Sequence, residues 1–330
     1  MGTILCDNKN LTGYWYPLAR VSDVLAAPLH RKLLGRDLVL WRDGNGVISA
    51  LPDRCPHRES KLSIGWVSGN CLVCPYHGWE FEQDGRCVRV PSANDGVPVP
   101  PKAHLAPYKV QEKYGLVWVC IGEPVAEIPY MMWEDDPAYR RINTPFDEWK
   151  VSATRMVDNF LDITHFPWVH RASFGRQQDT QVPHIDLGPL DDHFHGYSYD
   201  VYANNAATGA IASGQSVDVV HRTMSSGFNL PFTCRSTIEY DNGLAHILLL
   251  LSVPMDDVNS YFNFVVWRRD DFSLQSDEVT RLDFIIGAED KAMLETFDTV
   301  LPMDQTSTVS VQADKCSVEW RRQLAALLNK

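Results

Sequence analysis

Two stretches of this chain carry side chains whose types and spacing suit metal ions. The first pairs Cys55-Pro56-His57-Arg58 with Cys74-Pro75-Tyr76-His77-Gly78-Trp79. Each half offers one thiolate and one imidazole from a tight loop. Pro56 and Pro75 stiffen the loops, and Gly78 lets backbone approach closely. Two chemistries compete for such a set. One is a structural zinc site of two cysteines and two histidines. The other is a [2Fe–2S] centre in which two cysteines hold one iron and two histidines the other. A zinc finger usually keeps its cysteines together, and its histidines together on a helix. Here each loop mixes the two and the flanks read as strands. The pattern therefore favours the cluster, with Cys55 and Cys74 on one iron and His57 and His77 on the other.

The second stretch runs Asp158-Asn159-Phe160-Leu161-Asp162-Ile163-Thr164-His165-Phe166-Pro167-Trp168-Val169-His170. A helix would place Asp158, Asp162 and His165 on one face. His170 is off register for an unbroken helix. Pro167 is expected to break or kink the helix and return His170 to the point His165 faces. Two imidazoles and a carboxylate form a facial triad for non-haem iron(II) with positions left for oxygen. The plainer alternative is a polar helix end with satisfied histidines. A carboxylate could come from a helix expected over 280–300, whose apolar stripe is Leu282, Ile285, Ile286, Met293 and Phe297. Glu289 and Asp290 fall in or beside that stripe, where an unpaired carboxylate is expensive. Helical geometry does not choose between them. His193-Phe194-His195 would put two imidazoles on one strand face and is a rival site, although without a strong third ligand nearby.

The elements that must position these groups read in order. Trp15–Ala19, Asp37–Arg42 and Val47–Leu51 are β-rich runs, with a turn at Asp43-Gly44-Asn45-Gly46. Gly85 closes a hairpin, and Lys113–Gly122 reads as the last strands of an antiparallel β module. Pro124, Pro129 and Glu134-Asp135-Asp136-Pro137 look like a connector, which puts a domain boundary near residue 145. The expected domains are therefore 1–145 and 146–330. Strands dominate from Thr180 to Arg269, and a short helix is expected over Ser317–Leu328. The fold class is α+β.

Composition excludes several functions. The net charge of -12 argues against nucleic acid or an anionic membrane as the main partner. The longest apolar run, Ile247–Leu251, is far too short to span a bilayer. Met1–Cys6 has no basic region before an apolar stretch, so no signal peptide is read. Of the 8 cysteines, two sit in the metal array, and Cys6, Cys71, Cys87 and Cys120 read as small buried hydrophobes. The expected setting is reducing and cytoplasmic.

The Cys-Pro-His-Arg and Cys-Pro-Tyr-His-Gly-Trp array, the run Asp158-Asn159-x-x-Asp162-x-x-His165 with His170, and Ala288-Glu289-Asp290-Lys291 followed by Glu295 together resemble the Rieske non-haem iron oxygenases. Tyr114-Gly115-Leu116-Val117-Trp118 and the tail Ala313–Arg322 are similar to the short-chain subgroup. That subgroup includes oxygenase components acting on vanillate, dicamba, methylxanthines and saxitoxin-type substrates. The resemblance implies an antiparallel β Rieske domain followed by a helix-grip domain, an antiparallel sheet with helices. It implies Cys55, His57, Cys74 and His77 as cluster ligands and His165, His170 and Asp290 as ligands of a mononuclear Fe(II). It also implies a head-to-tail homotrimer in which Asp162 bridges the iron of one subunit to the cluster histidines of the next.

The reaction so implied is a monooxygenation of a small aromatic or heterocyclic substrate by O2. One oxygen atom enters a C–H bond and the other leaves as water. On an O- or N-methyl group the product collapses to formaldehyde and a demethylated compound. No G-x-G-x-x-G nucleotide motif is present. Electrons are therefore expected from a separate NAD(P)H-dependent flavin or iron–sulfur reductase, or a ferredoxin. Phe160, Leu161, Ile163, Phe228, Asn229 and Trp267 are candidates for the substrate pocket, and each reads equally well as core; His246 is ambiguous in the same way. Two rival functions stand beside this one: ring or alkyl hydroxylation without demethylation, and a Rieske electron carrier without the second metal.

Overall fold

Period-two alternation and tight turns make the first third of the chain all-β. In the computed structural model, which describes residues 5–94, 96–297, 300–303 and 307–330, the chain divides into two units. The first is Met1–Ile128 with Val253–Asp257, and the second is Pro129–Ser252 with Val258–Lys330.

The first unit holds β1 (Tyr16–Arg20), β2 (Leu29–Leu33), β3 (Arg36–Arg42), β4 (Ile48–Pro52), β5 (Trp66–Ser68), β6 (Cys71–Val73), β7 (Glu80–Phe81), β8 (Cys87–Arg89), β9 (Lys109–Lys113) and β10 (Leu116–Cys120). They form three antiparallel sheets ordered β1-β10-β9, β2-β3-β4 and β5-β6-β7-β8. Tyr114 and Gly115 join β9 to β10 with φ of 56° and 70°, the two positive values a tight two-residue hairpin requires. Leu34 and Gly35 make the same kind of turn between β2 and β3. Their N–H groups donate to the Pro254 and Met255 carbonyls at 2.9 and 2.8 Å, which ties residues 253–257 to this unit. The core gathers Val39, Trp41, Leu51, Leu62, Leu72 and Phe81 around Cys55 and Cys74. Asp53, only 4% exposed, pins the chain on the far side of the first metal loop. Its carboxylate accepts from Ser63 N and Ser63 Oγ, both at 2.6 Å. All eight cysteines are free thiols.

The second unit is built on one antiparallel sheet: β11 (Arg140–Asn143), β12 (Asp147–Trp149), β13 (Gly188–Pro189), β14 (His195–Asn204), β15 (Val219–Asn229), β16 (Thr233–Tyr240), β17 (Ala245–Pro254) and β18 (Ser260–Arg269). The order is β11-β18-β17-β16-β15-β14-β13, with β12 also on β18. The boundary expected near residue 145 thus falls between two strands that both pair with β18. The helices are α1 (Ala153–Phe160), α2 (Phe166–Val169), α3 (Ala207–Ser213), α4 (Ser276–Leu294) and α5 (Lys315–Leu328). Among the described residues no helix is long and apolar enough to cross a membrane.

α4 differs from the helix expected over 280–300. It starts a turn earlier, where Gln275 and Glu278 form a capping box, and it ends at Leu294. Its buried residues are Val279, Thr280, Leu282, Asp290 and Leu294, while Ile285, Met293 and Phe297 are more than a third exposed. The stripe read from apolar residues alone was rotated, because polar Thr280 and Asp290 occupy the buried face.

Replacing Asp53 with Ala leaves Ser63 N–H without its acceptor. Loss of a buried, charge-assisted pair of this kind destabilises by about 2–3 kcal/mol. Unfolding followed through cluster absorbance is expected to show that loss for Asp53→Ala.

Candidate metal centres

The two cysteine–histidine loops are built alike. Cys55 N–H donates to the Ser60 carbonyl at 2.9 Å, and Cys74 N–H to the Trp79 carbonyl at 2.8 Å. Each loop therefore leaves its sheet, turns at a proline and returns. Cys55 and Cys74 are each 1% exposed, whereas His57 and His77 are exposed at the loop tips. Burial, reinforced by the neighbouring Cys74 thiol, pushes the Cys55 thiol up to about 11. The His57 and His77 rings meet edge to face with centroids 4.5 Å apart, and His57 stacks flat on Trp79 at 4.6 Å. Thiol is thus beside thiol and imidazole beside imidazole. This is the like-with-like pairing that a two-iron cluster needs.

The second centre departs from expectation in its backbone. α1 ends at Phe160, before Asp162 and His165. Asp162 Oδ1 accepts from Thr164 N at 2.7 Å, a local side-chain turn that competes with helical bonding. Pro167 breaks nothing. It is the second residue of the single-turn α2, where a missing N–H is harmless and its fixed φ is helical already. His165 precedes that turn and His170 follows it. The one turn brings their Nε2 atoms to 3.1 Å.

Asp290 of α4 completes the set. Its Oδ1 is 3.5 Å from His165 Nε2 and 3.3 Å from His170 Nε2. Among the described residues these three form the group of donors able to share an ion. Donors about 2.1 Å from one metal lie about 3.0 Å apart at right angles and about 3.4 Å apart at tetrahedral angles. The three separations span that range, so this donor set fits a facially coordinated ion. Asn159 Nδ2 donates to Asp290 Oδ1 at 3.0 Å and fixes the carboxylate.

Both imidazoles are oriented from behind. His165 Nδ1 faces Asp162 Oδ2 at 3.3 Å, and His170 Nδ1 faces Glu289 Oε2 at 2.8 Å. Ser173 Oγ also donates to Glu289 Oε2, at 2.8 Å. Glu289 and Asp290, which helix geometry left as alternatives, are both used, in different positions relative to His170. Burial disfavours the His170 imidazolium, but the hydrogen bonds and charges of Asp290 and Glu289 outweigh it and raise its pKa. Burial likewise works against the Asp162 carboxylate, yet His165 and Thr164 hold its pKa below the usual value. Asp158, by contrast, is pushed up to about 6 by burial, with Arg321 opposing.

A cavity of about 110 Å³ opens from the three donors. Even-numbered residues of four neighbouring strands line it, among them Met224, Ile238, Leu250 and Phe264, as alternation requires. Phe160 lines it too, and the other pocket candidates do not. Trp267 and Asn229 are odd-numbered and turn away; Trp267 Nε1 donates to Glu134 and Asn229 Nδ2 to the His193 carbonyl. Phe228 lies beyond the cavity and packs on His195. Ile163 borders a separate groove, and Leu161 is core. His246 joins Asp283 and Arg268 in a buried polar chain. His193 and His195 fall outside the three-donor group.

Residues 14–109 match the Rieske [2Fe-2S] domain, and residues 149–330 match the vanillate O-demethylase oxygenase C-terminal domain. The chain belongs to the Rieske non-haem iron oxygenases. It is therefore a monooxygenase with a Rieske-type [2Fe–2S] cluster and a mononuclear iron. Methylxanthine N1-demethylase NdmA of Pseudomonas putida is 30% identical over 335 residues, 97% of this chain and 90% of the relative. The oxygenase component of dicamba O-demethylase of Stenotrophomonas maltophilia is 36% identical over 163 residues, 48% of this chain and 47% of the relative. The solved structure of Pseudomonas putida CBB5 NdmA with caffeine superposes with a TM-score of 0.84 at 27% identity, covering 98% of this oxygenase and 93% of that chain.

Three features of the site lay outside the sequence reading: Asn159 on Asp290, Glu289 on His170, and Arg222 in the cavity wall. The first two stand beside residues already singled out, but no spacing rule announces a contact between α4 and residues 159–170. Substituting Glu289 with Ala frees the His170 ring. Loss of such an orienting carboxylate typically lowers metal affinity about 10–100-fold. Metal analysis of Glu289→Ala is expected to show lost mononuclear iron and an unchanged cluster spectrum.

Proposed function

We propose that this oxygenase demethylates a small aromatic or heterocyclic compound at oxygen or nitrogen. In this reading Cys55, His57, Cys74 and His77 hold the cluster, and His165, His170 and Asp290 hold the iron. The observation that carries it is the convergence of two Nε2 atoms and a carboxylate oxygen at the end of an apolar cavity. Demethylation is supported by the names of relatives, the methylxanthine N1-demethylase and the dicamba O-demethylase component. Iron held by the triad would supply the oxygen-activating chemistry, and a [2Fe–2S] cluster held by the four residues of the first centre would supply electron storage.

The protein's own groups do the rest. Asp162 and Glu289 accept the Nδ1 protons of His165 and His170, which leaves both Nε2 lone pairs free to bind. Asn159 keeps Asp290 from swinging away. Phe160, Phe262 and Phe264 wall the cavity, hold a flat ring and keep out water. In the balanced reaction one atom of O2 enters a methyl C–H bond and the other becomes water, with two electrons and two protons supplied. The hemiacetal or hemiaminal then breaks its C–O or C–N bond to give formaldehyde and the free hydroxyl or amine.

The electrons come from a separate NAD(P)H-dependent reductase or a ferredoxin, since this chain has no nucleotide-binding glycine motif. Asp162 is the proposed coupling group. Its side chain remains about a quarter exposed while bonded to His165, so a cluster histidine from another subunit of a homotrimer can reach it. Eight unbridged cysteines suit a cytoplasmic enzyme.

Reconstituted enzyme is expected to contain three irons per chain and to release one formaldehyde per O2 consumed. Hydroxylated product without formaldehyde would favour ring or alkyl hydroxylation, and two irons per chain would leave only an electron carrier. Asp162→Asn is expected to retain both metals and to slow reductase-driven turnover at least 10-fold; wild-type rates would remove Asp162 from the path.

A further inference from the structure

Arg222 is an anomaly in the cavity wall. It lies on β15 between Val201 and Tyr240 of the adjoining strands and is 4% exposed. Its Nε and Nη2 are buried with no hydrogen-bond partner. Its guanidinium carbon rests 4.9 Å from the centre of the Phe174 ring, which stabilises the charge but offers no acceptor. Two carboxylates also line the cavity, and both are engaged. Asp290 is held by Asn159 and the two histidines, and Asp283 accepts from His246 Nε2 at 3.1 Å. Among the described residues, no acid lies within ion-pairing distance of Arg222.

A guanidinium does not shed its proton, and a buried one without a partner is strongly destabilising. An oxyanion on a bound ligand would supply the missing partner. Guanidinium donors match a pair of oxygens on one carboxylate or sulfonate. The rest of the lining is mainly aromatic and aliphatic, with Asn159, Ser226, Ser236 and the two histidines as its other polar groups, and about 110 Å³ is less than the roughly 150 Å³ void that takes up benzene. The cavity therefore excludes a ligand of more than one ring.

We propose that Arg222 is a specificity-determining residue that binds an oxyanion on a single-ring aromatic substrate and turns the methyl-bearing edge toward His165, His170 and Asp290. The inference rests on the demethylation reading and narrows it to aromatic acids. Alignment across the cavity is its physical content: an apolar ring slides freely between phenylalanines, whereas a ring tethered at one edge presents the opposite edge to the metal.

The test uses anaerobic, reduced holoenzyme and calorimetric titration. The probes are the three ring isomers of methoxybenzoate, the matching methoxybenzamides, which have the same shape without charge, and the methoxybenzenesulfonates. At least one acid is expected to bind about 100-fold more tightly than its amide, as charge-assisted bonds do. Tight sulfonate binding would assign the natural ligand chemistry to either oxyanion, and weak sulfonate binding to carboxylate alone; both support the subsite. Arg222→Gln is expected to bring acid and amide to within about 5-fold, and Arg222→Lys to restore part of the preference. Iron content and amide affinity serve as controls for folding.

Equal binding of acid and amide by the wild-type enzyme overturns the proposal without recourse to any variant. The two readings fail separately. Formaldehyde released equally from neutral and acidic methoxyarenes removes the role of Arg222 and keeps demethylation. Selective acid binding with no formaldehyde from any probe keeps the subsite and removes demethylation.

Discussion

Everything at the second centre depends on two imidazole nitrogens being held about as far apart as ligands of one ion. Five residues separate His165 and His170 in the chain, and a straight helix would send their side chains to different faces. One helical turn, with Pro167 as its second residue and the two histidines at its flanks, solves that problem. The turn alone would leave the rings free to rotate. Asp162 and Glu289 take up the two Nδ1 atoms, so ring rotation would break a hydrogen bond in each case. Asp290, next to Glu289 in α4, then reaches both Nε2 atoms. Two adjacent acids on one helix thus serve the same histidine from opposite sides of its ring.

The first centre follows a different logic. Its cysteines are buried and its histidines are exposed. Cys55 and Cys74 belong to the hydrophobic core of the β unit, and His57 and His77 stand at the loop tips. Thiol burial disfavours free thiolate, so these cysteines suit a metal that supplies the compensating charge. In the proposed assignment, histidines at the tip would give an electron a route that need not cross the core. Trp79, stacked on His57, limits how that ring can turn.

The cavity shows how sheet regularity makes a pocket. Neighbouring antiparallel strands present alternate residues to the same face, so a large apolar wall needs only the correct residue at every second position. Arg222 sets a charge in that wall, and its unpartnered nitrogens are the least economical feature of the site. Arg140, Arg235 and Arg321 of the same unit also leave a buried nitrogen without a hydrogen bond, yet each pairs with an acid, Asp270, Asp191 and Asp158. The contrast assigns Arg222 to recognition rather than to folding.

Residue types and spacing singled out the two histidine-bearing stretches and the α+β fold class, and the resemblance those residues carry supplied the family and the choice of Asp290 over Glu289. Those features are local: a Cys-Pro-His loop or a pair of histidines around a proline has few other chemical uses. The α1 end at Phe160, the role of Pro167, the exposed face of α4 and the separate tasks of Glu289 and Asp290 were decided by tertiary structure. So were the cavity walls, of which only Phe160 was legible, since Trp267 and Asn229 differ from true lining residues merely by strand parity. Register, helix rotation and the partners of buried polar atoms depend on which segments distant in the chain pack together, and one-dimensional spacing does not encode that packing.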